Sequence, residues 1–166
     1  MCGELNVRNA LATVAVARHC GLNDDQIQNA FDTFEGIKRR MEVRGEVEGV
    51  IIVDDFAHHP TAIRLSSNAL RNKHPQEKIL GVIELGSNTM SSGYHDEDLL
   101  NSFESINEAL ILDAKVKYEG DNIFQSIDAL NDELIKRIKD YDIILIMTNR
   151  DSQKFIKPIL ESFEEK

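Results

Sequence analysis

Apolar positions in the first 35 residues recur at helical spacing. Val7, Ala10, Leu11, Val14 and Ala15 share one face, and Gly21 closes that helix. Asn23, with Gln26 three residues on, predicts a capping box. Ile27, Ala30, Phe31 and Phe34 continue along one side of a second helix. The period then changes to two. Met41, Val43, Gly45 and Val47 alternate with Glu42, Arg44, Glu46 and Glu48, which predicts a half-exposed strand ending in a turn at Gly49. Val50-Ile51-Ile52-Val53 is an unbroken β-branched run, as expected of a strand buried on both faces, and Pro60 opens a helix to about Asn72.

A strand-then-helix rhythm fills the remainder. The pattern predicts strands over 78–85, 109–112 and 142–148, with a short extra one over 116–118. It predicts helices over 96–106, 123–139 and 152–164. Strands alternating with helices imply an α/β fold: a Rossmann-like, mostly parallel sheet with helices on both faces, preceded by two helices. The all-helical stretch gives way to α/β near Phe34 to Gly36, so the chain divides into 1–35 and 36–166.

Charge narrows the function. Among 166 residues, 29 acids against 19 bases give a formal charge of −10. That argues against a general binder of nucleic acid or anionic membrane, while leaving room for a local cationic pocket. Two cysteines make no disulfide framework, and no Cys/His cluster suggests a metal site. There is no signal peptide and no apolar run of about 18 residues, so the expectation is a cytoplasmic protein without a membrane span.

Four segments could carry chemistry. Asp54-Asp55-Phe56-Ala57-His58-His59-Pro60 brings two acids and two histidines to the carboxyl end of a buried strand, where open α/β sheets bind ligands. A carboxylate there can accept hydrogen bonds from ribose hydroxyls, and the following helix N-terminus suits phosphate. Equally, the two acids can simply cap the turn. Lys38-Arg39-Arg40 places three cations at the domain junction, as phosphate ligands or as a solvated charge run. Asn6 and Asn9 share a helix face and could read an adenine edge, or Asn6 could be a cap. Leu85 to Gly93 is a polar loop at the end of the second buried strand, placed as a substrate loop would be.

In combination these segments resemble a known family. Gly3-Glu4-Leu5-Asn6-Val7-Arg8-Asn9-Ala10, then Gly36-Ile37-Lys38-Arg39-Arg40-Met41-Glu42, then Asp54 to Pro60 are similar to successive motifs of the Mur ligases, ATP-dependent amide-bond ligases of cell-wall synthesis. With Ser87-Asn88-Thr89-Met90, the set is most similar to their murein peptide ligase branch. The resemblance implies that 1–35 are the last helices of a central ATPase domain and 36–166 the C-terminal, closing domain. It implies ATP and Mg2+ as cofactors, with the metal ligands on the central domain. It implies UDP-N-acetylmuramate and a tripeptide as substrates, joined through an acyl phosphate in peptidoglycan recycling. The remaining domains of the same enzyme would be its partners, and this stretch would be inactive alone. By the same resemblance Asn6 and Asn9 lie near adenine, Arg40 reaches the nucleotide and Asp55 holds the ribose. His58 lies near the phosphates and acceptor, and Ser87, Asn88 and Thr89 help place the incoming amine. No catalytic residue and no metal ligand falls on this stretch. Leu5 stands where the family has histidine, and Leu85-Gly86 where it has Pro-Arg. Thr148 to Ser152 replaces a glycine-rich segment. These departures keep an alternative open: a non-catalytic nucleotide-binding or regulatory module on the same scaffold.

Overall fold

The computed structural model describes residues 3–85, 96–115 and 118–164. Two helices come first, α1 (Glu4–His19) and α2 (Asp24–Asp32). The predicted capping box forms: Asn23 Oδ1 accepts from the Gln26 N–H at 2.9 Å, and Gln26 Oε1 accepts from the Asn23 N–H at 3.0 Å. The start of α1 rests on the later helix α3 (Pro60–Lys73). A Cβ on Gly3, whose φ is 94°, would sit 2.8 Å from the Ala69 Cβ, so only glycine allows this approach.

The sheet begins with an antiparallel hairpin of β1 (Glu42–Val47) and β2 (Val50–Asp55). Its two-residue turn, Glu48-Gly49, has positive φ at both positions, which matches the twist of the strands. The expected alternation of β1 fails at a bulge between Val43 and Gly45. The extra residue leaves Val43 57% exposed and brings the Arg44 guanidinium to 3.7 Å from Asp54.

After α3 come β3 (Ile79–Glu84), α4 (Asp96–Asn101), β4 (Glu108–Leu112) and β5 (Ile123–Phe124). Then follow α5 (Ile127–Arg137), a 3-10 turn (Ile138–Asp140), β6 (Ile143–Met147) and α6 (Gln153–Glu164). The strand order is β1-β2-β6-β3-β4-β5, with β1 antiparallel to β2 and every other pairing parallel. The last strand in sequence therefore lies in the middle, between β2 and β3.

Two boundaries differ from the sequence pattern. The helix expected from residue 123 starts at Ile127, because Ile123 and Phe124 pair with β4 and Ser126 caps the helix by accepting from the Ala129 N–H. The helix expected over 96–106 ends at Asn101. There the Ser102 hydroxyl bonds back to the Leu99 carbonyl at 2.6 Å. Of the short strand expected over 116–118, residues 116 and 117 lie outside the described residues, and Tyr118 is not in a strand.

Strand residues alternate between two cores. Ile52, Leu80, Val82, Ile144 and Ile146 pack with Leu130, Leu134 and Phe155 of α5 and α6. Val53, Ile79, Ile83, Ile143 and Leu145 pack with Ile63 and Leu70 of α3 and Leu99 of α4. Helices thus cover both faces.

Polar clamps close the amino end. Arg71 donates to the carbonyls of Ser105 (3.0 Å), His74 (3.1 Å) and Glu77 (2.7 Å), and to Asn107 Oδ1 (2.8 Å). The Tyr141 hydroxyl donates to Glu108, which also takes Arg137 at 2.6 Å. Among the described residues, no helix is long and apolar enough to cross a membrane.

Candidate functional site

Neighbouring residues of a strand point to opposite faces, so the two acids that end β2 have different surroundings. Asp54, on the α6 side, is 0% exposed. Its Oδ2 accepts from the Ser152 hydroxyl at 2.6 Å and lies 3.5 Å from Arg39 Nε and 3.7 Å from Arg44 Nη1. Asp55, on the α3 side, is 3% exposed. Its Oδ1 accepts from the Ala57 N–H (2.8 Å) and the Ser66 hydroxyl (3.2 Å), and its Oδ2 from the Met41 N–H (2.9 Å). Asp55 therefore caps the turn through backbone N–H groups, as the capping reading expects, whereas Asp54 meets the side chains of Ser152, Arg39 and Arg44. A carboxylate has about four acceptor positions, so Asp55 keeps room for one more donor at Oδ2.

The linker that carries the cations is fastened to this rim. Arg39 donates from Nη2 to the Thr148 carbonyl at 2.6 Å, and its backbone N–H donates to Glu42 Oε2 at 2.7 Å. The Arg39 carbonyl accepts from the Phe56 N–H at 2.9 Å. Phe56 is the centre of the cluster. The Arg39 guanidinium lies 5.1 Å from its ring centroid and that of exposed Arg40 5.9 Å. The half-buried His58 ring meets Phe56 edge-on at 5.3 Å. His58 Nδ1 lies 2.9 Å from the Phe56 carbonyl. A carbonyl only accepts, so Nδ1 carries the proton in this bond and Nε2 of the neutral ring is the position that accepts from a donor. His59 caps α3, with Nδ1 accepting from the Thr61 N–H at 3.3 Å.

A third acid stands two strands along, beyond β6. Glu84 ends β3 on the α6 side and is almost fully buried. It accepts from the Thr148 hydroxyl and from Lys154 Nζ, each at 2.6 Å, and Arg150 Nη1 lies 3.6 Å away. Sequence reasoning passed over Glu84 and Lys154. An acid closing an apolar strand was the available signal, the same that marked Asp54. Its partners were hidden because they become neighbours only once β6 lies between β2 and β3.

Arg40, Asp55 and His58 thus meet around one rim. Asn6 and Asn9 stand on α1, half-buried and exposed respectively. Ser87, Asn88 and Thr89 lie outside the described residues.

Known proteins resemble this chain in sequence and fold. Residues 39–150 match the family model described as Mur ligase, glutamate ligase domain. The chain is 36% identical over 159 residues to the UDP-N-acetylmuramate–L-alanyl-gamma-D-glutamyl-meso-2,6-diaminoheptandioate ligase of Escherichia coli, covering 89% of this chain and 35% of that protein. It is 33% identical over 153 residues to the UDP-N-acetylmuramate–L-alanine ligase of Clostridium kluyveri, covering 89% and 33%. The crystal structure of a murein peptide ligase from Psychrobacter arcticus superposes with a TM-score of 0.75 at 29% identity, over 100% of this chain and 38% of that one. The chain spans about a third of the length of these relatives.

Proposed function

Because this chain belongs to the Mur ligase family and contains its C-terminal domain, we propose that it works as the closing, substrate-binding part of an ATP-dependent peptide ligase. The reaction joins UDP-N-acetylmuramate to a cell-wall tripeptide in the cytoplasm during peptidoglycan recycling. Residues 1–35 are then the last helices of the ATPase domain, and the phosphate-binding loop and metal ligands belong to the rest of that domain. The relatives that act on a tripeptide and on L-alanine support the donor sugar in common, and the higher identity favours the tripeptide.

The observation that carries this reading is the convergence of Arg40 and Asp55 on one rim, through the bond from the Met41 N–H to Asp55. The residues fit a bound nucleotide. Arg40 is an exposed cation with a planar fork suited to phosphate oxygens. Asp55 Oδ2 can accept one ribose hydroxyl beside the Met41 N–H. ATP supplies the phosphoryl group that activates a carboxylate as an acyl phosphate, and Mg2+ offsets its charge. The chain's own contribution is positional. Its rim closes on the neighbouring domain, Arg40 crosses to the nucleotide, and closure shields the activated carboxylate from water. His58 Nε2 faces the approach of the amine as a hydrogen-bonding group.

The test is kinetic. In the full-length enzyme, Arg40→Ala and Asp55→Ala should each lower peptide-dependent phosphate release by about tenfold or more, the loss expected of a charge-assisted contact. Wild-type rates in both variants would overturn the proposal. The 166-residue chain by itself should show no ligase activity, and calorimetry should find it a weak binder of ATP.

A further inference from the structure

Arg40 is held in an uncommon way. Both of its neighbours adopt left-handed backbone conformations, Arg39 at φ 57° and Met41 at φ 51°. Side-chain-bearing residues leave that region unless their surroundings hold them there, and such residues gather at functional sites. Each neighbour here is held by one of the paired acids. Met41 donates its N–H to Asp55. Arg39 turns its guanidinium inward, 3.5 Å from Asp54 and hydrogen-bonded to the Thr148 carbonyl at the end of β6. Its backbone is tied on both sides, N–H to Glu42 and carbonyl to Phe56. The consecutive arginines therefore part. Arg39 is partly buried and engaged by the rim, while Arg40 is exposed, and one Phe56 ring carries both guanidinium groups.

We infer that Arg39 is a positioning residue. Through Asp54, the Thr148 carbonyl and Phe56 it locks the linker backbone so that Arg40 projects from the rim toward the nucleotide. Asp54 and Asp55 are the two anchors of one device, on either side of the residue they present. This rests on the reading of Arg40 as nucleotide-facing given above. The geometry explains why arginine is needed at position 39. A lysine ammonium is a single point and cannot at once bond the Thr148 carbonyl, face Asp54 and stand over Phe56.

A double-mutant cycle in the full-length enzyme tests this, with KM for ATP, kcat and thermal midpoint measured for Arg39→Lys, Arg40→Ala and the pair. Arg40→Ala should raise KM for ATP about tenfold, the effect of losing one charge-assisted contact. Arg39→Lys should raise it severalfold, with KM for the peptide unchanged. The pair should match Arg40→Ala alone within about twofold, because a residue acting through Arg40 has nothing left to position. Asp54→Asn keeps an acceptor for Ser152 and removes the charge that faces Arg39 and Arg44. It should raise KM for ATP in the same direction, and it serves if Arg39→Lys lowers the thermal midpoint too far to assay. Effects that multiply, or an unchanged KM for ATP in both Arg39→Lys and Asp54→Asn, overturn the inference while leaving Arg40 at the nucleotide. An unchanged KM in Arg40→Ala overturns the nucleotide-facing reading itself.

Discussion

Ser152 and Asp54, 98 residues apart in sequence, share a 2.6 Å hydrogen bond that fastens the start of α6 to the end of β2. Both are buried. Removing the hydroxyl leaves a buried carboxylate oxygen short of a donor, which costs about 1–3 kcal/mol. Ser152→Ala should lower the urea midpoint accordingly without changing the denaturant slope. A midpoint equal to wild type would mean that Arg39 and Arg44 satisfy Asp54 without Ser152.

The pairing of Tyr141 with Glu108 predicts how stability follows pH. Burial, then the hydrogen bond to Glu108, pushes the Tyr141 phenol up to about 12. The bond from Tyr141, ahead of those from Asn122 and Arg137, holds the Glu108 carboxyl below its usual value. The two shifts agree on neutral tyrosine beside carboxylate. For Tyr141 the stabilisation is fully present below the unfolded value of about 10. It is lost as pH rises through about 12. For Glu108 it is present above the unfolded carboxylate value and lost as pH falls through the lowered one. Tyr141→Phe should remove the late step from the tyrosinate absorbance titration and flatten the alkaline limb of the stability profile.

Arg71 joins the end of α3 to the segments that lead into β3 and β4. One guanidinium serves four carbonyls, those of Ser105, His74, Pro75 and Glu77, and Asn107, which itself accepts from the Ile79 N–H at 2.8 Å. Arg71→Ala should destabilise the chain by about 2–4 kcal/mol through the carbonyls left unpaired. Arg71→Lys should recover little of this, since one ammonium cannot span the same acceptors. Chemical denaturation of the two variants checks both statements.

Val7, Leu11 and Val16 of α1 are 59%, 66% and 63% exposed. Apolar surface of this kind drives association. The 166-residue chain should form concentration-dependent oligomers by light scattering. Leu11→Glu should shift it toward monomer without altering the circular dichroism of the α/β part.

Much of the architecture was legible because it depends on local pattern. The β-branched run of β2, the capping box at Asn23 and the proline that opens α3 are each read from a few adjacent residues. The bulge at Arg44 was not, because nothing in the alternation of β1 shows that Asp54 would draw that arginine across. Nor was β5, two residues long and defined only by pairing with β4. The placement of Arg40 at a junction and of Asp55 and His58 at a strand end was legible from position. The contacts of Arg39, Glu84 and Lys154 were not, since they form only where β6 and the turn after it meet β2 and β3.

That late strand sets the order in which the molecule can be made. A growing chain that has produced β2, α3 and β3 still lacks the piece that lies between those two strands. Until Ile143–Met147 inserts, β2 and β3 have no common edge, Asp54 lacks Ser152, and Glu84 lacks Thr148 and Lys154. Assembly of the rim must wait until β6 has been made, and contacts of such long sequence separation form slowly. A chain cut short before β6 would lose the middle of its sheet and present two raw strand edges, a template for misassembly and for disposal by proteases.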